Sequence, residues 1–117
     1  MRMPIELEAT ISQEKADQML KCAHQAITFH GHILKELDFS DRNLSEVFFA
    51  GILIEDTSFQ RAKCKKTSFY GSFLENVDFS GADLSKAVFR ESKLTNCNLD
   101  RIHAPFWKKI YLWLKNL

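Results

Sequence analysis

Val77-Asp78-Phe79-Ser80-Gly81-Ala82-Asp83-Leu84-Ser85-Lys86 is one five-residue unit written twice, with Phe79 and Leu84 at its two centres. Extended outward in both directions, the unit keeps its register from Phe29 to Leu99. Phe29, Leu34, Phe39, Leu44, Phe49, Ile54, Phe59, Cys64, Phe69, Leu74, Phe79, Leu84, Phe89, Leu94 and Leu99 fall on every fifth position, and only Cys64 among them is small. Two residues before each centre stands a second set, including Val47, Ile52, Thr57, Ala62, Thr67, Ser72, Val77, Ala82 and Ala87, which is mostly small or β-branched. His32 and Arg42, neither small nor β-branched, are its bulky polar departures. Neither the 3.6 period of a helix nor the alternation of a long strand produces a strict five. A fixed internal period is the mark of a repeat architecture, in which each unit buries its inner face only by stacking on its neighbours.

The units Ala82-Asp83-Leu84-Ser85-Lys86 and Val77-Asp78-Phe79-Ser80-Gly81, with partial matches at Arg42-Asn43-Leu44 and Cys97-Asn98-Leu99, resemble the A(D/N)LXX consensus of the pentapeptide-repeat family. The resemblance implies an all-β fold, a right-handed, four-sided β-solenoid with one unit per side and four per coil. Residues 27–104 then make just under four coils, a stack roughly 19 Å tall at the usual spacing between strands. The alternation of Phe with smaller apolar centres agrees. A twenty-residue coil places Phe29, Phe49, Phe69 and Phe89 in one column and Phe39, Phe59 and Phe79 in the opposite one, so that ring stacks on ring inside.

With 117 residues the chain is the length of one domain, and 45% hydrophobic with 26% charged residues is ordinary for a folded one. No apolar run is long enough to span a bilayer, and no apolar signal core precedes a cleavage site near Met1, so a cytoplasmic location is expected. Cys22, Cys64 and Cys97 are an odd number with no close pair, which fits a reducing compartment. Within residues 1–26, Ile5, Leu7, Ala9 and Ile11 alternate as a short strand, and Ser12 caps a helix carrying Ala16, Met19, Leu20, Ala23 and Ile27 on one stripe. This segment is expected to cap the open end of the solenoid, with Arg42 reaching a carboxylate or carbonyl of the cap.

Residues 105–117 break the pattern. Pro105 opens a helix in which Phe106, Ile110, Trp113, Leu114 and Leu117 share a face, and Trp107, Tyr111 and Leu112 widen the apolar surface. Lys108, Lys109 and Lys115 are its only charges. A second apolar surface comes from positions just before the centres, which point outward and are usually Asp or Asn in the family. Here Ile33, Leu53 and Phe73 fill one column, Phe48 and Val88 the neighbouring side, and Tyr70 stands near the turn between them. Such a stripe calls for a covering element or a partner. The helix within residues 1–26 is one candidate cover, and a partner protein or second copy is the other.

Sites of other kinds weigh less. The basic run Arg61, Lys63, Lys65 and Lys66 suggests nucleic acid, but a twenty-residue coil stacks Arg61 on Asp41, Lys63 on Asp83 and Lys66 on Glu46, which is ordinary cross-strand support. His24, His30 and His32 lack a completing ligand at metal spacing, so no metal and no cofactor is expected. No phosphate loop, activated nucleophile or carboxylate pair is apparent, and a filled lumen leaves no pocket, so no catalysis is expected. The best-known branch of the family resembles a rod of DNA and binds type II topoisomerases through acidic faces. Residues 27–104 carry 10 Lys or Arg and 11 Asp or Glu, a net of −1, which argues against that role.

The reading that remains is a non-catalytic interaction module, self-associating as a dimer through the C-terminal helix. Its contact residues are Ile33, Phe48, Leu53, Tyr70, Phe73, Val88, Phe106, Trp107, Ile110, Tyr111, Trp113 and Leu114. The rival is attachment of that cationic, aromatic helix to a membrane surface. The family includes bacterial effectors delivered into host cells, for which such an anchor would be in keeping.

Overall fold

The structure is a computed structural model, and it describes residues 9–21, 29 and 31–104. Its elements are β1 (Ala9–Ile11), α1 (Gln13–Lys21), β2 (His32–Lys35), β3 (Leu53–Glu55), β4 (Phe73–Glu75) and β5 (Lys93–Thr95). The five strands form one parallel sheet in chain order. From β2 upward the register advances by twenty residues: Ile33 pairs with Leu53, Leu53 with Phe73, and Phe73 with Lys93. The same step recurs outside the strands. Asp38, Ser58, Asp78 and Asn98 form one column of parallel bridges, Asn43, Lys63, Asp83 and His103 a second, and Phe48, Ser68 and Val88 a third. The repeat of five along the chain therefore stacks as a repeat of twenty through space.

Each unit ends on a left-handed residue. Positive φ falls on every fifth position from Gly31 to Arg101, and eleven of these residues are not glycine, among them Glu46, Arg61, Lys66 and Lys86. Such conformations each cost free energy for an L-residue and persist only where the surroundings hold them. Here the stack holds them. The amide of Asp41 donates to the carbonyl of Gln60 at 2.9 Å, Glu46 to Lys65 at 3.0 Å, Arg61 to Ser80 at 2.9 Å and Lys66 to Ser85 at 2.9 Å.

The interior follows the expected columns. Phe29, Phe49, Phe69 and Phe89 stack with centroids 5.0, 5.2 and 5.0 Å apart and planes within 9° of parallel. Phe59 lies 5.0 Å from Phe79 at 15° and 5.3 Å from Phe39 at 37°. The two columns meet edge to face, as between Phe59 and Phe69 at 5.7 Å and 86°. Polar members of the second set are satisfied in place: the Thr67 hydroxyl donates to the Leu44 carbonyl at 2.7 Å, and the Ser72 and Ser92 hydroxyls donate to the carbonyls of Phe49 and Phe89.

At the lower edge β1 pairs with β2, so the sheet does not end on β2. The Ser12 hydroxyl accepts the Lys15 amide at 3.1 Å, a helix N-cap, and Glu14 sits in the first turn of α1 where the helix dipole favours it. Ala16 is fully buried, and Met19 and Leu20 pack half-buried on the core. The Gln13 side chain holds both the amide and the carbonyl of Asp38, at 2.6 and 3.0 Å. Arg42 donates to Asp17 at 2.8 Å, which supplies the carboxylate expected of this segment. The Gln13 hydrogen bond and then Arg42 hold the Asp17 carboxyl below its usual range. Both ends of the ion pair are about one-third exposed, so its effect is moderate. Arg42→Ala is expected to lower the melting temperature by roughly 2–5 °C, and Asp17→Asn by a similar amount. An unchanged melting curve for both would mean the pair does not fasten α1.

Candidate protein-contact surface

Ile33, Leu53 and Phe73 stand in register on β2, β3 and β4, each half-buried, while Leu34, Ile54 and Leu74 beside them are buried. Alternation along each strand thus turns one apolar set inward and the other outward. Lys93 closes the column above. On the neighbouring column Phe48 is 44% and Val88 37% exposed, bridged through Ser68, and Tyr70 is 49% exposed. The hydrogen bonds that tie α1 down go to Asp38 and Arg42, on other columns. The structure brings five of the expected contact residues onto two adjacent columns, with Tyr70 at the turn between them. Phe106, Trp107, Ile110, Tyr111, Trp113 and Leu114, with Cys22, His24 and His30, lie outside the described residues.

Between the two apolar columns the left-handed turn positions are Gly31, Gly51 and Gly71, at φ 82°, 67° and 68°. Elsewhere the same conformation carries Glu, Asp, Lys, Arg or Asn, so the backbone does not require glycine there. A Cβ built on Gly31 or Gly71 meets nothing within 4 Å among the described residues. Gly81 is different: its Cβ would lie 3.3 Å from the Cγ of Arg61, whose guanidinium reaches down to Asp41 at 2.8 and 3.0 Å. Glycine at 81 makes room for a neighbour within the stack, whereas at 31 and 71 a side chain would meet no described residue. The signal was present as a spacing of twenty, and it becomes legible only once the turn positions are known.

The opposite flank of the Ile33 column begins at Lys35, in register with Glu55, and is acidic above it. Glu55 and Glu75 are register neighbours, like charges side by side, with Glu36 and Asp56 exposed at the adjoining turn positions. Asn76 donates to Asp56 at 3.1 Å and Asn96 to Asn76 at 2.5 Å. Among the described residues the ion pairs are Arg42–Asp17 and Arg61–Asp41, and neither touches Glu55 or Glu75. Of the three stacked charge pairs expected, Arg61–Asp41 forms, while Lys63 and Asp83 meet as a backbone bridge. Hydrogen bonding from Arg61 holds the Asp41 carboxyl low.

The other chemistry-bearing groups are accounted for locally. Burial pushes the Cys64 thiol up to about 12 and raises Cys97, so neither is a ready thiolate. His32 is half-buried, and its Nδ1 has no partner among the described residues. Among those residues no three His, Cys, Asp or Glu side chains gather as a metal site, and no helix is long and apolar enough to cross a membrane.

Parallel strands stacked at a constant twenty-residue step, around a continuous apolar core, define a β-solenoid repeat protein. Residues 57–101 match the family model of pentapeptide repeats in eight copies, and over this segment the chain carries the repeats of that family. Among curated proteins none matches the chain. Solved structures do. A pentapeptide repeat protein from the thylakoid lumen of Arabidopsis thaliana is 28% identical, over 62% of this chain and 56% of its own, with a TM-score of 0.40. A pentapeptide repeat protein of the cyanobacterium Cyanothece 51142 is 16% identical, over 64% and 58%, at 0.29. Trypsin-treated QnrB1, a plasmid-mediated fluoroquinolone resistance protein, is 12% identical, over 73% and 56%, at 0.32. The matched region thus spans a little over half the length of each of these proteins.

Proposed function

We propose that this protein is a non-catalytic protein–protein interaction module. The platform is a right-handed, four-sided solenoid of about four coils over residues 27–104, a reading supported by the four columns of residues bridged at steps of twenty. Residues 1–26 cap its lower end. The contact surface is the Ile33, Leu53 and Phe73 column with Phe48, Tyr70 and Val88 beside it, together with the aromatic helix over residues 105–117. The observation that carries this reading is the exposure of Phe48, Tyr70 and Val88 next to a turn column that is glycine at 31, 51 and 71 and Glu91 above them. Apolar side chains gathered at a bare backbone favour close packing with another polypeptide. The near-balance of charge over residues 27–104 lends no support to a duplex mimic.

Self-association through the C-terminal helix is the simplest form of this function, because one apolar element repeated by a twofold axis makes a closed dimer. Light scattering on the full chain is expected to give the mass of two chains, and Trp113→Glu with Leu114→Glu the mass of one, with an unchanged circular dichroism spectrum. A wild-type monomer would remove self-association. Persistence of the dimer in the double variant would remove the helix from the interface.

A further inference from the structure

The face edged by glycine is small, apolar and flanked by acid. Ile33 to Phe73 spans two strand spacings, about 10 Å. A standard protein interface buries on the order of 800 Å² on each partner, well beyond one strand column and its turn. Two turns of a single helix, about 11 Å, cover that length instead. Gly31, Gly51 and Gly71 allow such a helix to come close to the backbone along one edge. Along the other edge Lys35, Glu55 and Glu75 stand in register, two carboxylates to one cation, and among the described residues neither carboxylate forms an ion pair. The occupant this arrangement favours is an apolar helix bearing positive charge and no acid.

The chain contains that sequence. Phe106 to Leu117 is apolar and aromatic apart from Lys108, Lys109, Lys115 and Asn116. As a helix its twelve residues run roughly 18 Å, enough to cross the column from Ile33 to Phe73. We infer that the glycine-edged face of Ile33, Leu53 and Phe73 receives residues 105–117 of a second copy, exchanged reciprocally about a twofold axis. The inference rests on the self-association reading above and names what the helix binds. Reciprocal exchange makes two helix-on-face contacts per dimer, and the lysines of each helix come to the Glu55 and Glu75 flank of the other copy.

Complementation between full-length variants tests it. Gly71→Lys blocks the face with a side chain that Lys66 and Lys86 already carry at φ 60° and 58°, so folding is expected to survive. Phe73→Lys is the second face variant, repeating the Lys93 found one step above. Each face variant, and separately Trp113→Glu with Leu114→Glu, is expected to run at half the wild-type mass. Mixing a face variant with the helix variant is expected to restore a species of two chains, because one intact helix then meets one intact face. If the face variants stay dimeric while the helix variant is monomeric, helix packs on helix, and this inference falls while the function reading stands. If the wild-type chain is monomeric, both fall. If both kinds of variant are monomeric but the mixture stays monomeric, exchange onto the face is overturned.

Discussion

Phe59→Ala is expected to cost the fold about 3–5 kcal/mol, the usual range for emptying a fully buried aromatic site. Phe59 is 0% exposed and touches rings on four sides: it stacks on Phe79, tilts against Phe39 and meets Phe49 and Phe69 edge to face at 5.6 and 5.7 Å. The cavity cannot collapse easily. Its floor and ceiling are rings held by their own strand columns, and the backbone there is pinned by the Phe59 amide donating to Asp78 at 2.7 Å and the Phe39 amide donating to Ser58 at 2.8 Å. Since a domain of this kind is typically stable by only 5–15 kcal/mol, the variant is expected to melt well below the wild type or to fail to fold. Thermal denaturation followed by circular dichroism reads this directly. A loss under about 1 kcal/mol would mean the ring columns are looser than the stacking distances state.

Deleting one residue is expected to do more damage than deleting twenty. Removing Lys66 shifts every later residue by one place, so that Phe69, Leu74, Phe79, Leu84 and Phe89, now buried, leave the inner positions together. At about 2 kcal/mol for each large apolar side chain, the five losses approach the whole stability of a domain. The chain carrying this deletion is expected to be unfolded or insoluble. Removing residues 57–76 instead takes out one full register step. Phe79 then falls above Phe39 where Phe59 had been, and Phe89 above Phe49, so every inward residue still faces inward. That shortened chain is expected to melt cooperatively, at a lower temperature. Cooperative melting of the Lys66 deletion near the wild-type temperature would contradict the stacking register.

These contrasts also separate what was legible in the sequence from what was not. The phenylalanine columns were legible because a strict five with Phe at alternate centres admits few ways to bury every ring. Arg42 was legible as a cation in need of a partner, since a charge at an inward position is costly alone. That the partner is Asp17 was not, because the choice depends on where α1 lies against the stack. The pairing of Lys63 with Asp83 was read correctly as stacking, but exposed side chains on neighbouring strands are free to point apart, and the structure joins them through the backbone.

The left-handed turns were hidden for a different reason. Arg61, Lys66 and Glu46 have no local preference for positive φ, and nothing in their neighbourhood along the chain marks a turn. Their conformation is imposed by amides that must find carbonyls nineteen residues later, at Ser80, Ser85 and Lys65. By itself, then, the sequence determined the repeat, the inward set and the apolar surplus on the outside, since burial by side-chain type is written in the order of residues. Only the tertiary structure decided which residues turn the chain, which carboxylate takes Arg42, and that Gly31, Gly51 and Gly71 align at the turns between the apolar columns. Those are relations between residues nineteen or more apart, created by the stacking of the chain on itself and absent from any local stretch of it.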